Sequence, residues 1–185
     1  MNETLKTIQT RTSTRSYLDT PIPHDDLMAI LNAGIQAPSA LNRQCCEAYA
    51  IVDMSLIDEL TKRIKDVYAS RGETKPAAYH FSYHAPVLVI VAGNKEETRL
   101  VEDGSCMLEN IFLAATSLNI GSCWINQLRD TQDEPVVRDF LTSLGIPESN
   151  RIVGCGALGY IKNPTPIKHK NEQRIHIISE KSEKI

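Results

Sequence analysis

Gly154-Cys155-Gly156-Ala157-Leu158-Gly159-Tyr160-Ile161-Lys162-Asn163-Pro164-Thr165-Pro166 decides between two fold classes. Its first six residues match G-x-G-x-x-G, the loop that joins a strand to a helix in dinucleotide-binding sheets. That loop binds a pyrophosphate because the following helix offers free backbone N–H groups at its N-terminus. Here Pro164 and Pro166 follow instead, and a proline inside a helix removes a hydrogen bond and clashes with the preceding turn. The segment therefore reads as a strand from Arg151 to Tyr160, with glycines that let it pass close to another backbone or a flat ligand. Strands and helices alternate only irregularly along the rest of the chain, which suits α+β rather than a doubly wound sheet.

A strand of this kind needs neighbours. Pro86-Val87-Leu88-Val89-Ile90-Val91-Ala92, ended by Gly93-Asn94, is a continuous β-branched run and reads as a central strand buried on both faces. Ala48 to Val52 and Ser122 to Asn126 read as further strands, and Arg174-Ile175-His176-Ile177-Ile178 is strand-like. Helices are expected over Thr4–Gln9, through Leu27, Ile30, Leu31 and Gly34 after the Pro21-Ile22-Pro23 break, over Ser55–Ser70, and over Glu134–Leu144. Asp25 and Asp26 sit in the acidic first turn that a helix dipole favours, and Pro38 stops that helix. Arg71 to Pro76 reads as a loop. Asp103 to Leu118 is apolar nearly all round, which predicts a helix buried all round or covered in part by a second subunit.

The 185 residues read as one domain, 1–185. Twenty basic and twenty-three acidic side chains give a formal charge of -3, with no basic block to attract nucleic acid. No apolar run reaches the length of a membrane span, and Met1 to Lys6 lacks the pattern of a signal peptide, so a cytoplasmic protein is expected. Five cysteines without C-x-x-C spacing indicate neither a disulfide framework nor a zinc site. Cys106, Cys123 and Cys155 lie in apolar stretches and read as small hydrophobes; the vicinal pair Cys45-Cys46 leaves redox or soft-metal chemistry open.

Arg11-Thr12-Ser13-Thr14-Arg15 sets guanidinium groups around hydroxyls, the groups a phosphate monoester accepts charge-assisted hydrogen bonds from. The same five residues also fit a helix end, with Ser13 or Thr14 as a cap and the arginines solvated. More specific is the company they keep. Arg11 to Arg15 with Tyr17, then Ala37-Pro38-Ser39-Ala40-Leu41-Asn42-Arg43-Gln44, then Asn110 to Trp124, then Leu144-Gly145-Ile146-Pro147 leading to Ala157-Leu158-Gly159-Tyr160, occur in one order across nearly the whole chain. In these pieces the chain resembles the flavin-dependent nitroreductase family.

The resemblance implies an α+β fold with a central, mainly antiparallel sheet flanked by helices. It also implies two intertwined subunits, with an FMN in each interface and a C-terminal tail, about 161–185, reaching the partner. By matching position, Arg11, Thr12 and Ser13 hold the FMN phosphate or ribityl chain, and Lys168 and Lys170 grip the phosphate. Arg15 sits at the pyrimidine edge, where its charge favours the negative charge of the reduced ring. Pro38, Ser39, Ala40, Asn42 and Gln44 serve the site of the partner, while Trp124, Ile125, Asn126 and Gln127 run under the ring. The family often has Pro and Trp where this chain has Cys45 and Cys46. Arg71, Tyr79, His80, Phe81 and Tyr83 lie in the stretch that roofs the pocket, or serve packing.

The implied activity is hydride transfer from NADH or NADPH through flavin N5 to a nitroaromatic, a quinone or a similar small planar acceptor. The cofactor carries that chemistry, so no catalytic side chain and no metal site is expected, and the histidines (His24, His80, His84, His169, His176) read as scattered. Alternatives are a dehalogenase or flavin-cleaving enzyme of the same fold, for which 71–83 leaves little room for a lid, and a non-catalytic flavin-binding sensor. The acceptor, the NADH or NADPH preference and assembly beyond a dimer are not encoded in a readable form.

Overall fold

The computed structural model describes residues 1–168 and 170–178. Four strands, β1 (Cys46–Ile51), β2 (Val87–Asn94), β3 (Ile120–Ile125) and β4 (Asn150–Tyr160), form a single antiparallel sheet in the order β1-β2-β4-β3. The helices are α1 (Glu3–Thr10), α2 (His24–Ile35), α3 (Met54–Ser70), α4 (Leu100–Ser117), α5 (Gln127–Thr131) and α6 (Pro135–Ser143). The α+β expectation holds.

Period-two alternation in β2 builds the core on both faces. Leu88, Ile90 and Ala92 pack against α3 and α6 with Ile57, Leu60, Ile64 and Leu141; Val87, Val89 and Val91 pack against α2 and α4 with Ile30, Leu108 and Ile111. Each such large side chain contributes about 1.5–3 kcal/mol by leaving water. Helix starts are marked by local chemistry: Asn2 Oδ1 accepts from Leu5 N at 2.9 Å, Asp53 Oδ1 accepts from Ser55 N at 2.8 Å, and Pro135 occupies the first turn of α6.

The β4 glycines are close-approach positions, and the atoms that approach Gly154, Gly156 and Gly159 belong to side chains rather than to another backbone. A Cβ at Gly154 would stand 2.7 Å from the Trp124 indole, one at Gly156 2.8 Å from the Phe112 ring, and one at Gly159 2.9 Å from Tyr17. Rings crossing the sheet surface occupy the space that side chains on β4 would take.

Several expectations need correction. Arg11 closes α1 as its C-cap, its N–H donating to Thr7 O at 3.0 Å, but Ser13 and Thr14 cap no helix: there the chain runs beside β3, with Thr14 N donating to Ser122 O at 2.8 Å. The Tyr17 hydroxyl anchors it, 2.7 Å from Thr14 O and 3.1 Å from Ala157 O. Within one chain helix α4 buries one face through Met107, Leu108, Ile111 and Phe112, while Val101, Cys106 and Glu109, and Leu118 just past its end, stay exposed, so it is not buried all round by its own chain. Cys106 is thus no core residue, unlike Cys123 and Cys155. Among the described residues Arg174 to Ile178 pairs with no strand; Glu172–Arg174 is a 3-10 turn, and Ile175, Ile177 and Ile178 are exposed. Helix α5 had no periodic signal because it is a single short turn.

Among the described residues no helix is long and apolar enough to cross a membrane. Exposed apolar side chains gather instead on α1, which buries no residue and presents Leu5 and Ile8 beside α4.

Candidate functional site

The extended 11–15 segment and the chain that leaves β4 run side by side. Lys162 N donates to Ser16 O at 3.0 Å, Asn163 Nδ2 to Ser16 Oγ at 2.9 Å, and Thr165 Oγ1 to Ser13 O at 3.3 Å. The two prolines that exclude a helix keep the returning chain extended, and this alignment brings sequence positions some 150 apart into one cleft. Arg11, Thr12, Ser13, Arg15, Lys168 and Lys170 line it, around a volume of about 130 Å³.

Four cations therefore border one small space, and no carboxylate borders it among the described residues. Arg11 pairs with Glu109 from outside the cleft, Nε to Oε1 at 3.5 Å, on a half-exposed surface where such a pair is worth under about 1 kcal/mol. The Arg15 guanidinium donates to Ser13 O at 3.4 Å and lies 5.9 Å from the Tyr83 ring centre. The Cys123 thiol, followed by the Tyr83 hydroxyl, raises its pKa further above the ordinary range, so it stays charged. Thr165, Pro166 and Ile167 also line the cleft; nothing in the sequence marked them apart from the neighbouring prolines.

Arg15 opens onto a second space of about 300 Å³, bordered by Tyr79, His80, Phe81, Tyr83, His84 and Gln127. Gln127 enters it because it begins α5 immediately beyond β3. Trp124 lies across the sheet instead, edge-on to Phe112 at 6.2 Å, with its indole N–H donating to Asn126 Oδ1 at 2.6 Å. Ile125 is buried in the core, which leaves only its backbone to meet a ligand.

Pro38, Ser39 and Gln44 do not join these residues within one chain. They line a third cleft of about 190 Å³ with Cys46, Asp103 and Met107. Leu41, Asn42 and Gln44 all have positive φ (53°, 54° and 51°), a cluster of left-handed non-glycine residues that needs support. Ser39 Oγ accepts from Gln44 N at 3.0 Å, and the buried Asp103 carboxylate takes Ala40 N–H at 3.1 and 3.2 Å. Cys45 Sγ stands 4.0 Å from Cys46 Sγ and 3.5 Å from Asp103 Oδ2. Burial is the main cause that pushes both thiols up, Cys46 to about 12, so neither is an activated thiolate.

The histidines are less scattered than the sequence suggested, because Asp58, His80 and His84 place ligand-type atoms within 4.8 Å of one another. Both ring nitrogens of His80 are engaged in hydrogen bonds within the protein, and the His84 ring lies tilted against it, 33° between planes, with centres 4.1 Å apart. His169 lies outside the described residues.

Residues 8–160 match the Nitroreductase family. The crystal structure of a nitroreductase with bound FMN from Bacteroides fragilis is 42% identical and aligns with a TM-score of 0.93, over 97% of this chain and 100% of that one. A nitroreductase with bound FMN from Desulfitobacterium hafniense aligns with a TM-score of 0.87 at 26% identity, over 97% and 100%. The NADPH-flavin oxidoreductase of Vibrio harveyi is 27% identical over 164 residues, 86% of this chain and 66% of that protein. With the antiparallel sheet, its flanking helices and most of the chain in agreement, the protein belongs to the nitroreductase family.

Proposed function

We propose that this protein is an NADH- or NADPH-dependent FMN oxidoreductase that works as a homodimer on a nitroaromatic, quinone or similar planar acceptor. The observation that carries the reading is the convergence of Arg11, Arg15, Lys168 and Lys170 from the two ends of the chain on one cleft that no carboxylate borders among the described residues. A phosphate monoester near -2 fits that donor set, with Thr12 and Ser13 beside the cations to orient it. FMN held there would supply the redox chemistry, hydride transfer between a nicotinamide donor and the acceptor.

The chain's own residues bind and orient. Arg11, Lys168 and Lys170 neutralise the phosphate, and Arg15, which borders both the cationic cleft and the aromatic space, places a fixed positive charge where the pyrimidine edge would lie. Tyr79, Tyr83 and His84 offer flat surfaces for a planar acceptor. The second subunit supplies Pro38, Ser39, Ala40, Asn42 and Gln44, in keeping with the position of Pro38, Ser39 and Gln44 in a separate cleft of their own chain. Dimerisation is supported by the exposed Leu5 and Ile8 of α1, the exposed stripe of α4 and the exposed isoleucines of the tail.

The test is the visible spectrum of the purified protein before and after anaerobic NADH or NADPH. A yellow protein that bleaches, and regains colour with menadione, is the expected result. A colourless protein that takes up no added FMN would contradict the reading.

A further inference from the structure

We propose that His80 is the positioning residue of the acceptor pocket, an imidazole protonated on Nε2 that ties the 78–84 loop to α3 and fixes the backbone at His84. The proposal rests on the flavin reading for the identity of the pocket, while the hydrogen-bond lock itself does not. His80 is only 7% exposed although it belongs to a loop. The His84 backbone N–H points at His80 Nδ1 from 3.2 Å. A backbone amide can only donate, so Nδ1 must present its lone pair, and the Ser82 hydroxyl lies 3.1 Å from the same nitrogen. The proton therefore resides on Nε2, which faces Asp58 Oδ1 at 3.0 Å and Thr61 Oγ1 at 3.3 Å. Thr61 sends its own proton to Ile57 O at 2.9 Å and so acts as an acceptor toward His80.

The lock has something to hold. Tyr83 and His84 are consecutive non-glycine residues with φ of 57° and 56°, a conformation that costs about 1–2 kcal/mol per residue. Tyr83 N donates to His80 O at 3.1 Å and Ala85 N to Ser82 O at 3.1 Å, but only the His80 ring receives the His84 amide. This strained pair lines the same space as Arg15 and Gln127. A planar acceptor stacked there meets a wall whose position depends on one nitrogen lone pair.

Protonation of Nδ1 replaces that acceptor with a donor facing a donor. The charged and titratable groups that face His80 are Asp58 from α3 and His84 from the loop, while Lys65 of α3 reaches Ala77 O at 3.4 Å where the loop begins. Burial outweighs the opposing pull of Asp58, and His84 adds to it, so the folded protein holds His80 below its ordinary 6.5. The unfolded chain then takes up the proton first. The stability contributed by the lock is complete above about pH 6.5 and is lost as pH falls through the lower folded value.

Two substitutions and one spectrum test the lock. His80→Asn keeps a carbonyl oxygen where Nδ1 stands but does not titrate, whereas His80→Leu fills the space and accepts nothing. With menadione and the FMN-loaded enzyme between about pH 5 and 8, the KM of the wild type is expected to rise several-fold on the acidic side, with FMN affinity unchanged. His80→Leu should raise KM about fivefold at every pH, the lower end of the cost of leaving a part-buried N–H without its acceptor, and His80→Asn should stay close to wild type and flat with pH. In ¹⁵N spectra of the full-length protein as purified, His80 should show the Nε2–H tautomer, and the His84 amide should exchange slowly. An Nδ1–H tautomer, a folded Leu variant with unchanged KM, or an Asn variant that still titrates would overturn the proposal. Should His80→Leu not fold, the Asn profile and the spectrum decide. Should the wild type bind no flavin, the flavin reading has failed, and the tautomer and the His84 amide still decide the lock.

Discussion

The cationic cleft and the cleft beneath the 39–44 turn are built on opposite principles. Around the first stand four positive side chains on two extended segments, held in place by a few backbone and hydroxyl contacts and by Tyr17. The second has one buried carboxylate, a strained turn and hydrogen bonds whose directions matter more than their charges. Electrostatic sites tolerate small errors in geometry because Coulomb energy varies slowly with distance, whereas a turn with three left-handed residues exists only while its supports do. Substitution in the first should change ligand affinity and leave the fold alone. In the second, both should change together.

The largest effect is expected from Arg11→Ala. Loss of a charge-assisted bond to phosphate, about 1.5–3 kcal/mol, should weaken FMN ten- to a hundredfold in a fluorescence titration, with the urea midpoint unmoved. A shifted midpoint with intact FMN affinity would reverse the comparison. Next comes Asp103→Ala, which leaves the part-buried Ala40 N–H without its acceptor. It should cost about 1–2 kcal/mol of stability in urea and loosen FMN in the dimer as the turn relaxes. Unchanged stability would mean that the turn is held by something other than Asp103. The smallest effect is expected at Leu41, which is 88% exposed with φ of 53°. Leu41→Gly removes the left-handed penalty but adds freedom to the unfolded chain, so a net gain of under about 1 kcal/mol should appear in the same urea experiment. A loss of stability there would show that the Leu41 side chain is covered in the dimer.

The same contrast explains what could be read from the residues. The sheet was legible because Val87 to Ala92 is buried on both faces and says so in every residue, and because Pro164 and Pro166 forbid the helix that G-x-G-x-x-G would need. The cationic cleft was legible as residue types, Arg11 to Arg15 and the two lysines, and only a family resemblance joined them. Their meeting depends on the Thr165 and Asn163 contacts with the 13–16 segment, which no local pattern encodes. The left-handed turn at 41–44, the exposure of Cys106 and the fate of the isoleucine tail were not legible. Each is decided by neighbours remote in sequence, and an apolar residue reads alike whether it meets a core or an open face. His80 belongs to the same class. The resemblance set it in the stretch that roofs the pocket without giving it a task, and its role follows only from Asp58 and the His84 amide being brought to its two nitrogens.

The most direct test of the cationic cleft compares FMN with riboflavin, which shares the ring and ribityl chain and lacks the phosphate. Titrated into the protein stripped of bound flavin, FMN should bind at least about a hundredfold more tightly, and the advantage should shrink as salt is raised, because the phosphate is the group that Arg11, Lys168 and Lys170 meet. Equal affinity for the two flavins, insensitive to salt, would contradict the account.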